Sequence, residues 1–294
     1  MHPILLYLTL LGLAPASVAA PQPVAAKLYG ANVPEHGILT LQTAKYAVPF
    51  CAQQAWTVQK IQYDGRTVAH EHGFYGTVLI PKGGNFWGTG HTDGGREIVN
   101  ALTLLVDGNK QPVEVGKTVI GHKLVLRKDS IIWKFKCLAE VTVSDDRIIA
   151  RTQLEAAEDV DLKLLYYFMH CFVATTTNWM AELPNGDFAA DTFRSAGGFA
   201  VNKDTRWVAQ FEPTMKLGIL CYSPKVIGGP GSMSKVWDLN GYHKLYHQAN
   251  TNRSFKRGEK LDYSIIIQVV PQEIGDWSAT KAAVEALKKL YPRQ

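Results

Sequence analysis

The segment Ala69–Glu97, AHEHGFYGTVLIPKGGNFWGTGHTDGGRE, gathers more proton-moving and ligand-gripping side chains than any other stretch of this chain. His70, His72 and His91 are candidate acids and bases. Glu71, Asp93 and the adjacent Arg96 and Glu97 supply charge, and Tyr75 and Trp87 offer flat rings. Histidine titrates near neutral pH and serves either direction of a proton transfer. Aromatic rings beside such groups suit a sugar, which stacks its C–H face and hydrogen-bonds through its hydroxyls. The dense glycine lets the backbone turn tightly or approach a ligand closely. Loops that merely join strands have no need of this load of His, Arg and Trp.

Two other segments carry chemistry. In DLKLLYYFMHCFVA, residues 161–174, a strand places Leu162, Leu164, Tyr166, Phe168, His170 and Phe172 on one face and Leu165, Tyr167, Met169, Cys171 and Val173 on the other. Both faces are bulky, so the strand belongs in the middle of a layered structure. His170 there either packs in the core or serves a site at the strand end, where Asn178 and Trp179 follow. The second segment is YHKLYHQ, Tyr242–Gln248, with His243 and His247 at a spacing that fits one face of a helix, although loop or strand fits as well.

Several chemistries are excluded or disfavoured. There is no GxSxG elbow, dinucleotide fingerprint or P-loop, and GGPGSMS at 228–234 reads as a Gly-Ser loop. No cofactor is expected. His70 and His72 would share a strand face and reach a metal with His91 as third ligand, but unrelated loop histidines are the commoner case, so no metal is expected either. The net charge of +5 is scattered, with no basic stripe for nucleic acid.

Residues 1–20 read as a signal peptide, with the apolar run PILLYLTLLGLAPASVAA and small residues at Ser17, Ala19 and Ala20. Pro3, Pro15 and Ser17 make that run short for a membrane span, so export to the periplasm or beyond is expected, with no stable membrane insertion afterwards. Cys51, Cys137, Cys171 and Cys221 then permit two disulfides, or stay as buried thiols.

The elements that must position these residues are strands. Runs such as Trp56–Tyr63, Ile98–Val106, Ser130–Cys137, Ile148–Ala156 and Tyr263–Val270 recur between turn residues, and Asp64-Gly65 and Asp107-Gly108 are hairpin dipeptides. Within SIIWKFKC, alternation sets Ile131, Trp133 and Phe135 against Ile132, Lys134 and Lys136. One helix is expected at Asp276–Leu290, started by Asp276 or Ser278 and packed over a sheet edge or end. The fold class is all-β, a large antiparallel sandwich with a C-terminal helix, in one domain over residues 25–294.

On these features the chain resembles the galactose-mutarotase-like β-supersandwich group of aldose 1-epimerases and domains of polysaccharide lyases and glycoside hydrolases. The resemblance is carried by the exported all-β plan, the length, the histidine-bearing YYFMHCF strand and the closing KRGEKLDYSIIIQVV, where a Gly turn precedes a long strand. It implies stacked antiparallel sheets with sugar bound across a concave face. The epimerases' His-Thr/Pro-Tyr-Phe pattern is absent, since Cys171-Phe172 follows His170, and Glu212 in QFEP is one candidate for their carboxylate.

The function expected is that of a secreted carbohydrate-active protein with a polysaccharide or oligosaccharide partner, most concretely a lyase acting on a uronate. β-Elimination needs a base for the C5 proton, an acid for the leaving oxygen and a donor or cation on the carboxylate. The catalytic candidates are His91, His170, Glu97 and Tyr167. The substrate-contact candidates are Arg96, Trp87, Asn178, Trp179, His72, Tyr242 and His243. A sugar epimerase and a non-catalytic glycan binder are the alternatives, separated by whether His91, Glu97 and His170 converge.

Overall fold

The computed structural model describes residues 37–70, 76–89, 94–225 and 234–292. The apolar N-terminal run, His72, His91 and most of the Gly-Ser loop lie outside the described residues.

Among the described residues the strands form a twelve-stranded and a ten-stranded sheet. The first runs Thr118–Ile120, Ile38–Gln42, Tyr46–Cys51, Ile61–Tyr63, Arg66–Ala69, Val160–Val173, Tyr242–Phe255, Ser234–Leu239, Gly198–Lys203, with Val78–Pro81 also paired to Val160–Val173. The second runs Phe188–Thr192, Asn178–Glu182, Trp207–Glu212, Leu217–Tyr222, Lys260–Pro271, Ile148–Ala156, Phe135–Ser144, Lys123–Ile132, Ile98–Val106, Asn109–Gln111. Neighbours are antiparallel except Ile38–Gln42 and Thr118–Ile120, which run parallel.

Alternation builds the core. In Lys123–Ile132, Leu124, Leu126, Lys128, Ser130 and Ile132 are buried, while Arg127, Asp129 and Ile131 face out. The inward residues of both sheets meet in one cluster that includes Phe168, Phe172, Leu245, Tyr263 and Ile265. Both expected hairpin dipeptides turn with positive φ at their two central residues, 46° and 73° at Asp64-Gly65 and 49° and 86° at Asp107-Gly108. That geometry matches the right-handed twist of the strands it joins.

Two expectations are corrected, and the state of the cysteines is settled between its two alternatives. Ser130–Cys137 is not one strand: the chain reverses at Trp133, which takes φ 52°, so Ile132 and Phe135 pair across a hairpin and are both buried. Alternation cannot carry through a turn, and the apolar Ile-Ile-Trp run hid the reversal. The helix, Ser278–Leu290, covers a sheet face, not an edge or end: Val284 and Leu287 pack on Met180, Trp207, Leu220, Tyr222 and Ile266 of the ten-stranded sheet. The cap position is Trp277, and Asp276 just before it accepts from the Ser278 backbone N–H at 2.8 Å. All four cysteines are free and buried, so a chain this size closes its core without disulfides.

Leu287 is 1% exposed beneath the helix. Leu287→Ala is expected to cost about 2–5 kcal/mol by leaving a cavity against the sheet. A urea midpoint within error of wild type would show that the helix is not part of the cooperative fold.

Candidate functional site

The sequence-nominated residues are divided between the sandwich interior and the surface. His170 is 5% exposed and faces inward, flanked along its strand by Phe168 and Phe172 with ring centroids 6.3 and 6.4 Å away. Burial pushes its imidazole down to about 4, so it is neutral at pH 7. Together with Lys128, Thr77, Thr89 and Thr152 it lines an inter-sheet cavity of about 60 Å³. That volume holds a few waters, well below the roughly 300 Å³ at which small-molecule pockets begin.

Glu97 joins the same cluster. Its Oε1 lies 2.9 Å from Lys128 Nζ and accepts from Ser130 Oγ, while Lys128 also donates to the Ala55 carbonyl at 2.7 Å. Arg96, the next residue, is exposed, so the expected acid–guanidinium pair points to opposite sides of the chain. Tyr167 is fully buried, its hydroxyl between Asn250 Oδ1 and Arg253 Nη1, and its phenol is pushed up to about 12 by burial. It is held as a neutral packing and hydrogen-bonding group.

His243 is 1% exposed, with Nδ1 2.6 Å from Thr176 Oγ1, Nε2 3.2 Å from Asp238 Oδ1 and its ring stacked on Phe193 at 3.7 Å. Burial lowers its pKa, with Asp238 opposing. Trp179, named as a substrate contact, is 6% exposed between the sheets. Asn178 is half-buried and accepts from Thr177 Oγ1 at 2.8 Å. Trp87 is half-buried against backbone, and a Cβ on Gly95 would meet its ring at 2.0 Å. Gly94, where a Cβ would meet the indole Nε1 at 2.7 Å, is required by the same close approach. His72 and His91 lie outside the described residues.

Of the described candidates, Tyr242 is half-buried and stands among other aromatic and basic side chains on the outer side of its sheet. Its strand sends His243, Leu245 and His247 inward and Tyr242, Lys244 and Tyr246 outward. The neighbouring strands extend this outer face. Phe199 and Trp237 meet edge to face at 4.7 Å, Phe199 reaches Tyr246 at 6.4 Å, and Tyr246 lies 4.7 Å from Tyr166, which corrects the expected placement of Tyr166 on the face of His170: alternation breaks where Tyr167 and Phe168 both pack on Tyr263. Lys235 Nζ sits 5.2 Å from the Phe199 centroid and Lys244 Nζ 5.4 Å from that of Tyr246. At the strand end, the His70 and Tyr242 rings are 6.0 Å apart, and His70 Nε2 is 3.1 Å from the Gly241 carbonyl.

Burial raises the pKa of Tyr242 and lowers that of Lys244. Tyr242 therefore keeps its proton at neutral pH, and Lys244 releases its own more readily than a solvated lysine. Chemically the strip can stack sugar rings, place cations on a carboxylate and exchange protons at one end. Reading YHKLYHQ with a period of two would have separated Tyr242, Lys244 and Tyr246 from the histidines. The period of a helix obscured it. Phe199 and Lys235 carry no local signal, since only strand pairing brings them here.

No family model matches the chain, and no curated protein matches it in sequence. Solved structures do share its fold. It is similar to the α-galactosidase from Lactobacillus brevis, at 8% identity and a TM-score of 0.53 over 80% of this chain and 40% of that one. Matches also include a galactose mutarotase-like protein from Lactobacillus casei, at 9% identity and TM-score 0.46 over 80% of this chain and 100% of that one, and an aldose epimerase homologue from C. elegans, at 8% and 0.45 over 81% and 100%. The fold is thus the supersandwich expected from the sequence. Identities this low speak to fold alone.

The buried His170 makes stability depend on pH. Its folded value near 4 lies below the usual 6.5, so the unfolded chain binds the extra proton between those values. Stability is unaffected above pH 6.5, falls as pH drops from 6.5 towards 4 and levels below that, by about 3 kcal/mol in all. His170→Leu is expected to flatten that part of the urea midpoint–pH curve. An unchanged slope would place the acid sensitivity elsewhere.

Proposed function

We propose that the protein is an exported carbohydrate-active enzyme that lays an acidic glycan along the outer face of the twelve-stranded sheet and cleaves it by β-elimination. The observation that carries this reading is the strip of Phe199, Trp237, Tyr166 and Tyr246 interleaved with Lys235 and Lys244. Rings alone suit any sugar, and lysines among rings favour one that carries a carboxylate. The shared fold is compatible with this use and does not choose the reaction. The apolar N-terminal run supports export.

The roles follow from residue chemistry and placement along the strip. Lys235 and Lys244 neutralise the uronate carboxylate, which acidifies the C5 proton. His70 accepts that proton. Its ring is placed for this at the strand end, with Nε2 3.1 Å from the Gly241 carbonyl and the Tyr242 ring 6.0 Å away. Tyr242, held protonated by burial, delivers a proton to the leaving oxygen. Electrons move from the C5–H bond into a C4–C5 double bond as the C4–O bond breaks.

The test is a panel of uronate-containing and neutral polysaccharides, followed by ultraviolet absorbance of unsaturated uronates and, in parallel, by reducing ends. New absorbance is expected on a uronate polymer only. Tyr242→Phe should lower turnover roughly a hundredfold or more. Trp237→Ala should chiefly weaken binding, by about 1 kcal/mol for one aromatic contact. Reducing ends without absorbance would replace elimination by hydrolysis, and wild-type polymer retention by Trp237→Ala would remove the strip as the binding face.

A further inference from the structure

The outer face of the ten-stranded sheet carries a groove of about 520 Å³, within the roughly 300–1,000 Å³ of ligand sites. It crosses five adjacent strands, four steps of about 4.8 Å each. Strand register explains its lining. Asp129, Leu138, Gln153 and Asp262 stand side by side in one transverse row, with Asn100 next to Asp129 at its end. Ile131, Lys136, Glu155 and Lys260 form the adjacent row.

Ion pairing is complete in the second row and lapses in the first. Lys136 and Lys260 each reach Glu155 at 3.2 Å. Asp262 accepts from Arg151 Nε at 2.8 Å and from Gln153 Nε2 at 2.9 Å. Asp129 instead faces Leu138, and among the described residues its carboxylate receives only a 3.4 Å contact from Asn100 Nδ2, longer than a good hydrogen bond. Leu138 and Ile131 are each 38% exposed beside it. These groups define a ligand by what they reject. Asp129 repels an anion, and the two lysines repel a cation. Gln153, with its Nε2 given to Asp262, offers a carbonyl oxygen, while Asn100 and the lysines keep N–H groups to donate. A neutral ligand that both donates and accepts, with an apolar face for Leu138 and Ile131, meets every one of these demands. An uncharged sugar is such a ligand.

We propose that this groove binds a neutral oligosaccharide laid across the strands, its hydroxyls read by Asp129, Asn100 and Gln153 and its C–H face resting on Leu138 and Ile131. The proposal rests on the carbohydrate reading above and adds a second site on the opposite outer face of the sandwich. There the protein holds an uncharged stretch of glycan while the lysine-bearing strip takes an acidic one.

The test is calorimetric titration of the full chain with neutral oligosaccharides of glucose, mannose, galactose and xylose, each over a ladder of chain lengths, with uronate cleavage followed in parallel. At least one neutral series is expected to bind saturably and to tighten as the chain lengthens to span the groove. Asp129→Ala and Gln153→Ala should each weaken that affinity roughly tenfold, the scale of one hydrogen bond, with uronate cleavage unchanged. Asp129 is exposed and Gln153 half-buried, so both variants keep the fold, which an unchanged urea midpoint checks. Trp237→Ala, on the other outer face, should leave neutral-sugar affinity at the wild-type value. Silence from every neutral series, or wild-type affinity in both groove variants, overturns the proposal. So does loss of neutral-sugar binding in Trp237→Ala, which would move the sugar to the strip. Oligolysine bound in place of any neutral sugar, and released by Asp129→Ala, would overturn it in favour of a basic segment. Uronate cleavage without neutral-sugar binding ends the groove and leaves the functional reading standing, whereas neutral-sugar binding without cleavage ends the elimination and leaves the groove.

Discussion

Everything about the open face depends on the register between Val160–Val173 and Tyr242–Phe255, two strands of fourteen residues each. Phe168 lies opposite His247, His170 opposite Leu245 and Phe172 opposite His243, all directed to the core. The intervening pairs, Met169 with Tyr246, Cys171 with Lys244 and Val173 with Tyr242, form the other side. A slip of one residue would drive Lys244 into the interior and expose His243 and Leu245. The surface strip is thus held in place by what its alternate residues do inside.

That interior is not dry. Lys128 and Glu97 form an ion pair with side chains 5% and 0% exposed, and His243 is bracketed by Thr176 and Asp238. Buried ion pairs contribute little net stability, but breaking one side strands a charge. The same Asp238 that faces His243 accepts from the backbone of Arg194 and Ser195. The inner network therefore also fixes the backbone at Arg194 and Ser195, which links core polarity to surface shape.

The outer faces of the two sheets are treated differently. On the ten-stranded sheet the helix seals one region, and elsewhere opposite charges pair across strands, as in Arg127 with Glu140, Lys136 and Lys260 with Glu155, and Arg151 with Asp262. Such ladders are an ordinary wet sheet face, interrupted where Leu138 stands opposite Asp129. On the twelve-stranded sheet Lys235 and Lys244 lie over Phe199 and Tyr246, and Phe199 meets Trp237 edge to face.

Local pattern determined much of the architecture. Ile98–Val106 and Ile148–Ala156 are strands with the bounds that period-two alternation indicates, the Asp-Gly pairs turn hairpins, and the helix begins just past its Asp276 start signal. These depend on neighbours in sequence, where φ preferences and side-chain period act directly. The hairpin at Trp133 escaped because nothing in Ile-Ile-Trp-Lys marks a turn. Which residues form a site was decided by tertiary structure. Phe199, Trp237, Tyr246 and Tyr166 come from four strands, and Asn100, Asp129 and Gln153 from three others. Their types were visible in the chain, but whether each faced solvent or core depended on register and sheet order. Those are fixed by contacts between residues far apart in sequence, which no local window contains.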